Sequence, residues 1–127
     1  MGAGELREAS AGCSGAATPT WSPELTRSER RSWLLHRRIS SRLTRDTLEE
    51  LEPVMQNNLS RLHRGVTGEP HERNLHRWQR LVDTRDLPGL KRVSTGLDRD
   101  SIEMREVSPM RGLLSQHERS EVLAQVG

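Results

Sequence analysis

His71-Glu72-Arg73-Asn74-Leu75-His76 is the stretch whose residue types come nearest to metal chemistry. A helical zinc site of the protease kind needs two histidines four residues apart, so that both imidazoles reach one ion while the glutamate between them acts on water. Here the histidines are five apart, about 140° around a helix, and cannot share an ion from one element. That geometry turns His71 to the apolar side and His76 to the arginine side, and no metal is expected. His36 is the next candidate. It falls between Trp33 and Leu43 on an apolar face, where an imidazole could act as a general base, but no Ser, Cys or carboxylate is marked in the sequence as its partner. The expectation is a buried, hydrogen-bonded structural histidine. Glu49, Glu50 and Glu52 have the types for an acid/base pair, yet an exposed acidic helix face explains them without a pocket. Cys13, in Ala-Gly-Cys-Ser-Gly, has no base or helix start beside it to lower its pKa, and reads as an inert thiol. No glycine-rich phosphate loop is present. The chain is expected to have no catalytic residues, no cofactor and no enzymatic activity.

Functional weight falls instead on arginine. Between Arg27 and Arg45, seven arginines stand against Glu29 alone. At 100° per residue, Trp33, Leu35, His36, Ile39 and Leu43 share one arc, and Arg30, Arg31, Arg37, Arg38 and Arg42 fill the opposite one, with Leu34 stranded among them. Such a face can grip phosphates, with steep salt dependence, or dock an acidic protein. The plain reading is a solvated helix face. Of the two functional readings a protein partner is favoured over nucleic acid, because the aromatics that stack bases are missing.

The elements that must carry these residues are helical. The chain has 127 residues, enough for one core. Its hydrophobic content is 31%, with no Phe or Tyr, so bulk falls to leucines and to Trp33 and Trp78 and the core must be thin. Self-association or a partner would help it. Lys91 is the one lysine beside nineteen arginines, and the formal net charge is +2. A single cysteine excludes an internal disulfide. No apolar run approaches the roughly 18 residues of a membrane span, so no membrane partner is expected and a cytoplasmic location is the default.

Residues 1–21 show no periodicity and are expected to form a disordered tail, leaving 22–127 as a single helical domain. Ser22-Pro23-Glu24 and the capping-box spacing Thr26 to Glu29 open a first helix running to about Arg45. Asp46 can cap the next segment. Glu52-Pro53 marks a kink or a fresh start, after which Val54, Met55, Leu59 and Leu62 form the stripe of a second helix ending near Arg64-Gly65. A third spans Pro70 to about Thr84 with Leu75, Trp78, Leu81 and Val82 on one side. Leu87-Pro88 opens a fourth that carries Leu90 and Val93 and stops at Gly96. Asp98 or Asp100 caps a fifth around Ile102 and Val107, which Ser108-Pro109 ends. Gly112 allows a turn, and Ser115 with Glu118 caps a last helix with Val122, Leu123 and Val126 on its buried side. No segment alternates with the period of a strand. The fold class is therefore all-α, a small bundle of five to six helices, with Trp33, Leu35, Ile39, Leu59, Leu62, Trp78 and Leu81 as its core.

Taken in order, SERRSWLLHRRISSRL over Ser28 to Leu43, Asn58-Leu59-Ser60-Arg61-Leu62, Trp78-Gln79-Arg80-Leu81-Val82 and Ser108 to Ser115 followed by Glu118-Arg119 resemble a known pattern. It is the helical C-terminal region of helix-turn-helix, antitoxin-like transcriptional regulators of high-GC bacteria, some of them paired with nucleotidyltransferase-like toxins. Met110 stands where those regulators usually carry Phe. The resemblance implies a non-enzymatic, regulatory accessory protein whose partner is a toxin-like protein or a second copy of itself. A helix-turn-helix reader needs several packed helices, which residues 1–26 cannot supply, so the family's DNA reading is not expected to carry over. Nucleic-acid binding through the arginine face, or a truncated remnant without activity, are the alternatives.

Overall fold

The computed structural model describes residues 24–125. The tail expected over 1–21, Cys13, the Ser22-Pro23 helix start and Val126 lie outside them. Within the described residues the chain forms six α-helices and no strand: α1 (Arg27–Arg42), α2 (Arg45–Gly65), α3 (His71–Asp83), α4 (Leu87–Thr95), α5 (Arg99–Met104) and α6 (Gln116–Leu123), with a 3-10 turn at Arg105–Val107 between α5 and α6.

Local chemistry sets most of the boundaries. Thr26 Oγ1 accepts from the Glu29 amide and Glu29 returns the bond to the Thr26 amide, a complete capping box that starts α1. Asp86, Asp98 and Ser115 cap α4, α5 and α6 through side-chain oxygens that accept from the third residue on. The turn from α4 to α5 needs Gly96, where a Cβ would lie 2.4 Å from Ser101 Oγ. Gly112 takes φ +84 in the turn before α6, backbone that a side chain resists.

Two boundaries differ from the sequence reading. The first helix stops at Arg42, and Thr44 rather than Asp46 caps the second, exchanging side-chain and backbone bonds with Thr47. Proline 53 neither starts nor divides a helix, because α2 runs unbroken through it. Its missing N–H costs one helical bond to the Glu49 carbonyl. Against that loss, Leu48 before it and Met55 and Leu59 after it lie on one stripe and bury on the same core, so tertiary packing holds the two halves in register. Val54, expected on that stripe, lies a hundred degrees off Met55 and is 40% exposed.

α3 is the central element: it packs against α2, α4, α5 and the 3-10 turn, while α1 lies against α4 and α6. Leu75, Trp78 and Val82 form its inward stripe. Trp78 is fully buried and its Nε1 donates to the Met104 carbonyl at 2.6 Å. Around it gather Ile39, Leu43, Leu48, Met55 and Leu59 from the N-terminal side and Leu90, Met104, Val107 and Met110 from the C-terminal side. Each such side chain contributes roughly 1.5–3 kcal/mol of burial. Of the expected core, Ile39, Leu59 and Trp78 are buried and Leu62 and Leu81 pack partly buried against it. Trp33 and Leu35 are only half-buried. The inward line of α1 runs through His36, Ile39, Ser40 and Leu43, which puts Trp33 and Leu35 on its two margins.

Candidate functional site

Both faces of α1 bear on function. On the outer face Arg30, Arg31 and Arg37 are exposed, and among the described residues none of them is paired with a carboxylate. Arg37 lies over the Trp33 ring, 4.8 Å from its centroid, a cation–π stack that fixes both side chains. The indole is anchored from the other side by its Nε1, which donates to the Thr95 carbonyl at 3.0 Å. The other two arginines assigned to this surface have work within the fold. Arg42 pairs with Glu118, and Arg38 Nη1 lies 3.6 Å from carboxylate oxygens of both Glu118 and Glu121. Ser115 accordingly forms only half a capping box: its Oγ accepts from the Glu118 amide at 3.1 Å, while the Glu118 carboxylate is turned to α1.

The inner face of α1 forms one wall of a cleft of about 930 Å³, closed by α2 and by the segment from Arg105 to Arg119. His36 and Ser108 meet there, 72 positions apart in sequence, with Nε2 and Oγ separated by 2.7 Å. Nδ1 is 2.7 Å from the Ser32 carbonyl, which can only accept, so in the neutral ring Nδ1 carries the proton and Nε2 accepts from the Ser108 hydroxyl. These are the distances of a nucleophile and its base. The energetics point elsewhere. His36 is 8% exposed, and burial lowers its pKa from 6.5 to about 4, with the Arg105 charge acting in the same direction and the Ser32 carbonyl opposing. A base that weak is poorly matched to proton abstraction near neutral pH. Ser108 Oγ also accepts from the Met110 amide at 3.1 Å, so both its hydrogen-bonding roles are filled. The pair works as a clamp that ties the Ser-Pro segment to α1, with the partner that the sequence did not mark supplied by Ser108.

A second clamp comes from α2. Asn58, buried, donates through Nδ2 to the Pro109 and Arg111 carbonyls, both at 2.8 Å, and its Oδ1 accepts from Arg61 Nη2 at 2.6 Å. Asn58→Ala leaves the buried Pro109 carbonyl without its donor, and is expected to cost about 2 kcal/mol. Urea denaturation would show this as a lower midpoint with an unchanged slope. Arg105 is a further buried polar group of the cleft lining, 5% exposed. Its Nη1 donates to the Val93 and Gly96 carbonyls at 2.8 Å, Nη2 has no hydrogen-bond partner, and burial draws its proton affinity below the usual guanidinium range. The one signal for it in the sequence is spacing, since Arg105 follows Ser101 and Ile102 at helical intervals and so falls on the stripe they bury.

The remaining candidates disperse. His71 Nε2 lies 3.9 Å from Glu106, while the His76 ring sits 5.5 Å from His63 on α2, so the two histidines diverge as their spacing requires. Glu49 and Glu50 are exposed, and Glu52 is bound by Arg85 at 2.7 Å. Among the described residues no group of three or more His, Cys, Asp or Glu could hold a metal ion, and no helix is long and apolar enough to cross a membrane. Compared with known proteins, the chain matches no family model, no curated protein and no solved structure.

Proposed function

We propose that this chain is a non-enzymatic, cytoplasmic interaction protein, an antitoxin-like or regulatory accessory, that docks an acidic surface of a protein partner on the outer face of α1. The observation that carries the reading is the set Arg30, Arg31 and Arg37: three exposed guanidiniums on one helical face, without carboxylate partners among the described residues and next to the anchored Trp33 and half-buried Leu34. Arginine and tryptophan are the residues that protein interfaces concentrate, and a rigid stacked pair loses little entropy when it is covered. Further support comes from the fold: Ser28–Leu43, Asn58–Leu62 and Ser108–Ser115, blocks that carry the antitoxin-like resemblance, touch one another through His36, Asn58 and Ser108.

Charge reversal tests it. The product of the neighbouring gene, co-expressed with the full chain, should elute with it in size-exclusion chromatography. Arg30→Glu/Arg31→Glu/Arg37→Glu should abolish that co-elution while leaving the helical circular dichroism intact. Arg38 and Arg42 are unsuitable for this test because changing them also loosens α6. Titration with DNA and RNA at two salt concentrations separates the rival reading: salt-sensitive binding lost in the same triple variant would replace the protein partner with nucleic acid.

A further inference from the structure

Among the described residues a minority of the arginines hold carboxylates, and four of those that hold none meet in the cleft. Arg38, Arg42, Arg77, Arg85 and Arg99 each pair with a carboxylate. Arg61, Arg105, Arg111 and Arg119, which line the cleft, pair with none among the described residues. Arg61 makes only its bond to Asn58, Arg111 and Arg119 are exposed, and Arg105 keeps a buried Nη2 without a partner. The single carboxylate in the lining, Glu106, lies 3.9 Å from His71. Four guanidiniums against one carboxylate set up a concentrated positive field in a concave space, where field lines are focused more than on a flat surface.

Beside the neutral polar groups of His36, Asn58, Ser108 and Gln116, the wall has an apolar part: Leu35 and Ile39 from α1, Leu62 and Val66 from the end of α2, and Met110 and Leu114 from the C-terminal segment. A volume of about 930 Å³ is that of a site for a small molecule rather than a folded partner. We infer that this cleft binds a small amphipathic anion, its carboxylate or phosphate held by the unpaired arginines and its aliphatic body laid against the leucines. Planar guanidinium groups suit both head groups, since either offers two oxygens to one arginine fork. The site is separate from the outer face of α1, and it stands whether or not that face docks a protein.

The test uses the full chain with four probes: octanoate below its micelle concentration, octyl phosphate, inorganic phosphate and the neutral octanamide. Octanoate or octyl phosphate should bind saturably by calorimetry and move the methyl resonances of Leu62, Val66 and Leu114, which would also show which head group fits. Inorganic phosphate should bind more weakly and octanamide at least tenfold more weakly. Arg111→Gln/Arg119→Gln, at two exposed positions, should weaken the amphiphile at least tenfold with the fold intact, whereas Arg30→Gln/Arg37→Gln should leave it unchanged. Equal binding of octanamide and octanoate, binding untouched by the Arg111/Arg119 pair, or no saturable binding of either charged amphiphile would overturn the assignment.

Discussion

Trp78→Ala should leave this domain largely unfolded at 37 °C. The indole is fully buried at the centre of the bundle, in contact with material from both ends of the chain, and its N–H is the donor to the Met104 carbonyl. Truncating a buried tryptophan costs about 3–5 kcal/mol when the neighbours cannot close the void. They cannot close it here, because Phe and Tyr are absent and the surrounding leucines and methionines are already packed on other partners. Depriving the carbonyl of its donor adds about 1 kcal/mol. Small domains carry about 5–15 kcal/mol in all, and a thin core belongs at the low end of that range. In a thermal melt the midpoint should fall by roughly 15 °C or more. Trp78→Phe keeps most of the buried area and removes only the donor, so its midpoint should fall by much less. Comparable losses in the two variants would mean that the hydrogen bond, and not the packed ring, dominates.

The second large effect is a loss of stability in mild acid that traces to one residue. His36 is buried neutral, with a pKa of about 4 against 6.5 for an unhindered imidazole. The unfolded chain therefore takes up a proton at His36 before the folded protein does. The stabilisation from keeping the ring neutral is complete above about pH 6.5, declines as the pH falls, and is exhausted near pH 4. A gap of that size corresponds to about 3 kcal/mol. Protonation would also break the bond from Ser108, since Nε2 could no longer accept. Urea midpoints measured from pH 7 to pH 4 should fall steeply for the natural chain. The His36→Gln variant can still donate to the Ser32 carbonyl and accept from Ser108, but it does not titrate, so its curve should be flatter by about that amount. Parallel curves would show that the ring is hydrated and that the clamp is not closed in solution. The carboxylates of Glu29, Asp83, Asp98 and Asp100, held below their usual range chiefly by hydrogen bonds, titrate lower and contribute the same slope to both proteins.

Much of the fold could be read from the sequence where the cause is local. Thr26 with Glu29, Asp98, Gly112 and Ser115 act within three residues of themselves, and each sits where a helix begins or the chain turns. Reading failed where the deciding partner is distant. Proline 53 looks like a break until Leu48, Met55 and Leu59 are known to share one core. His36 lacks a partner until Ser108 is folded against it, and Asn58 has no visible task without Pro109 and Arg111. The same holds for the arginine face, which periodicity groups as five equal residues. Only α6, arriving from the far end of the chain, divides them into three that remain open and two that hold it.

The short stretch Ser108 to Arg111 draws its bonds from residues read much earlier, His36 and Asn58, and places Met110 in the core beside them. A helical protein usually assembles from near neighbours and quickly. Here α1 and α2 emerge from the ribosome long before the tetrapeptide that pins them together, so helices can form during synthesis while the tertiary structure waits for almost the whole chain. For that interval the parts of the α1 to α3 stripes that the C-terminal segment covers stay open, although α2 can already pack on α3 and α1 on α4. This protein thus depends more than its helical content suggests on prompt completion of its own translation, and premature termination before residue 110 would release a chain without a closed core.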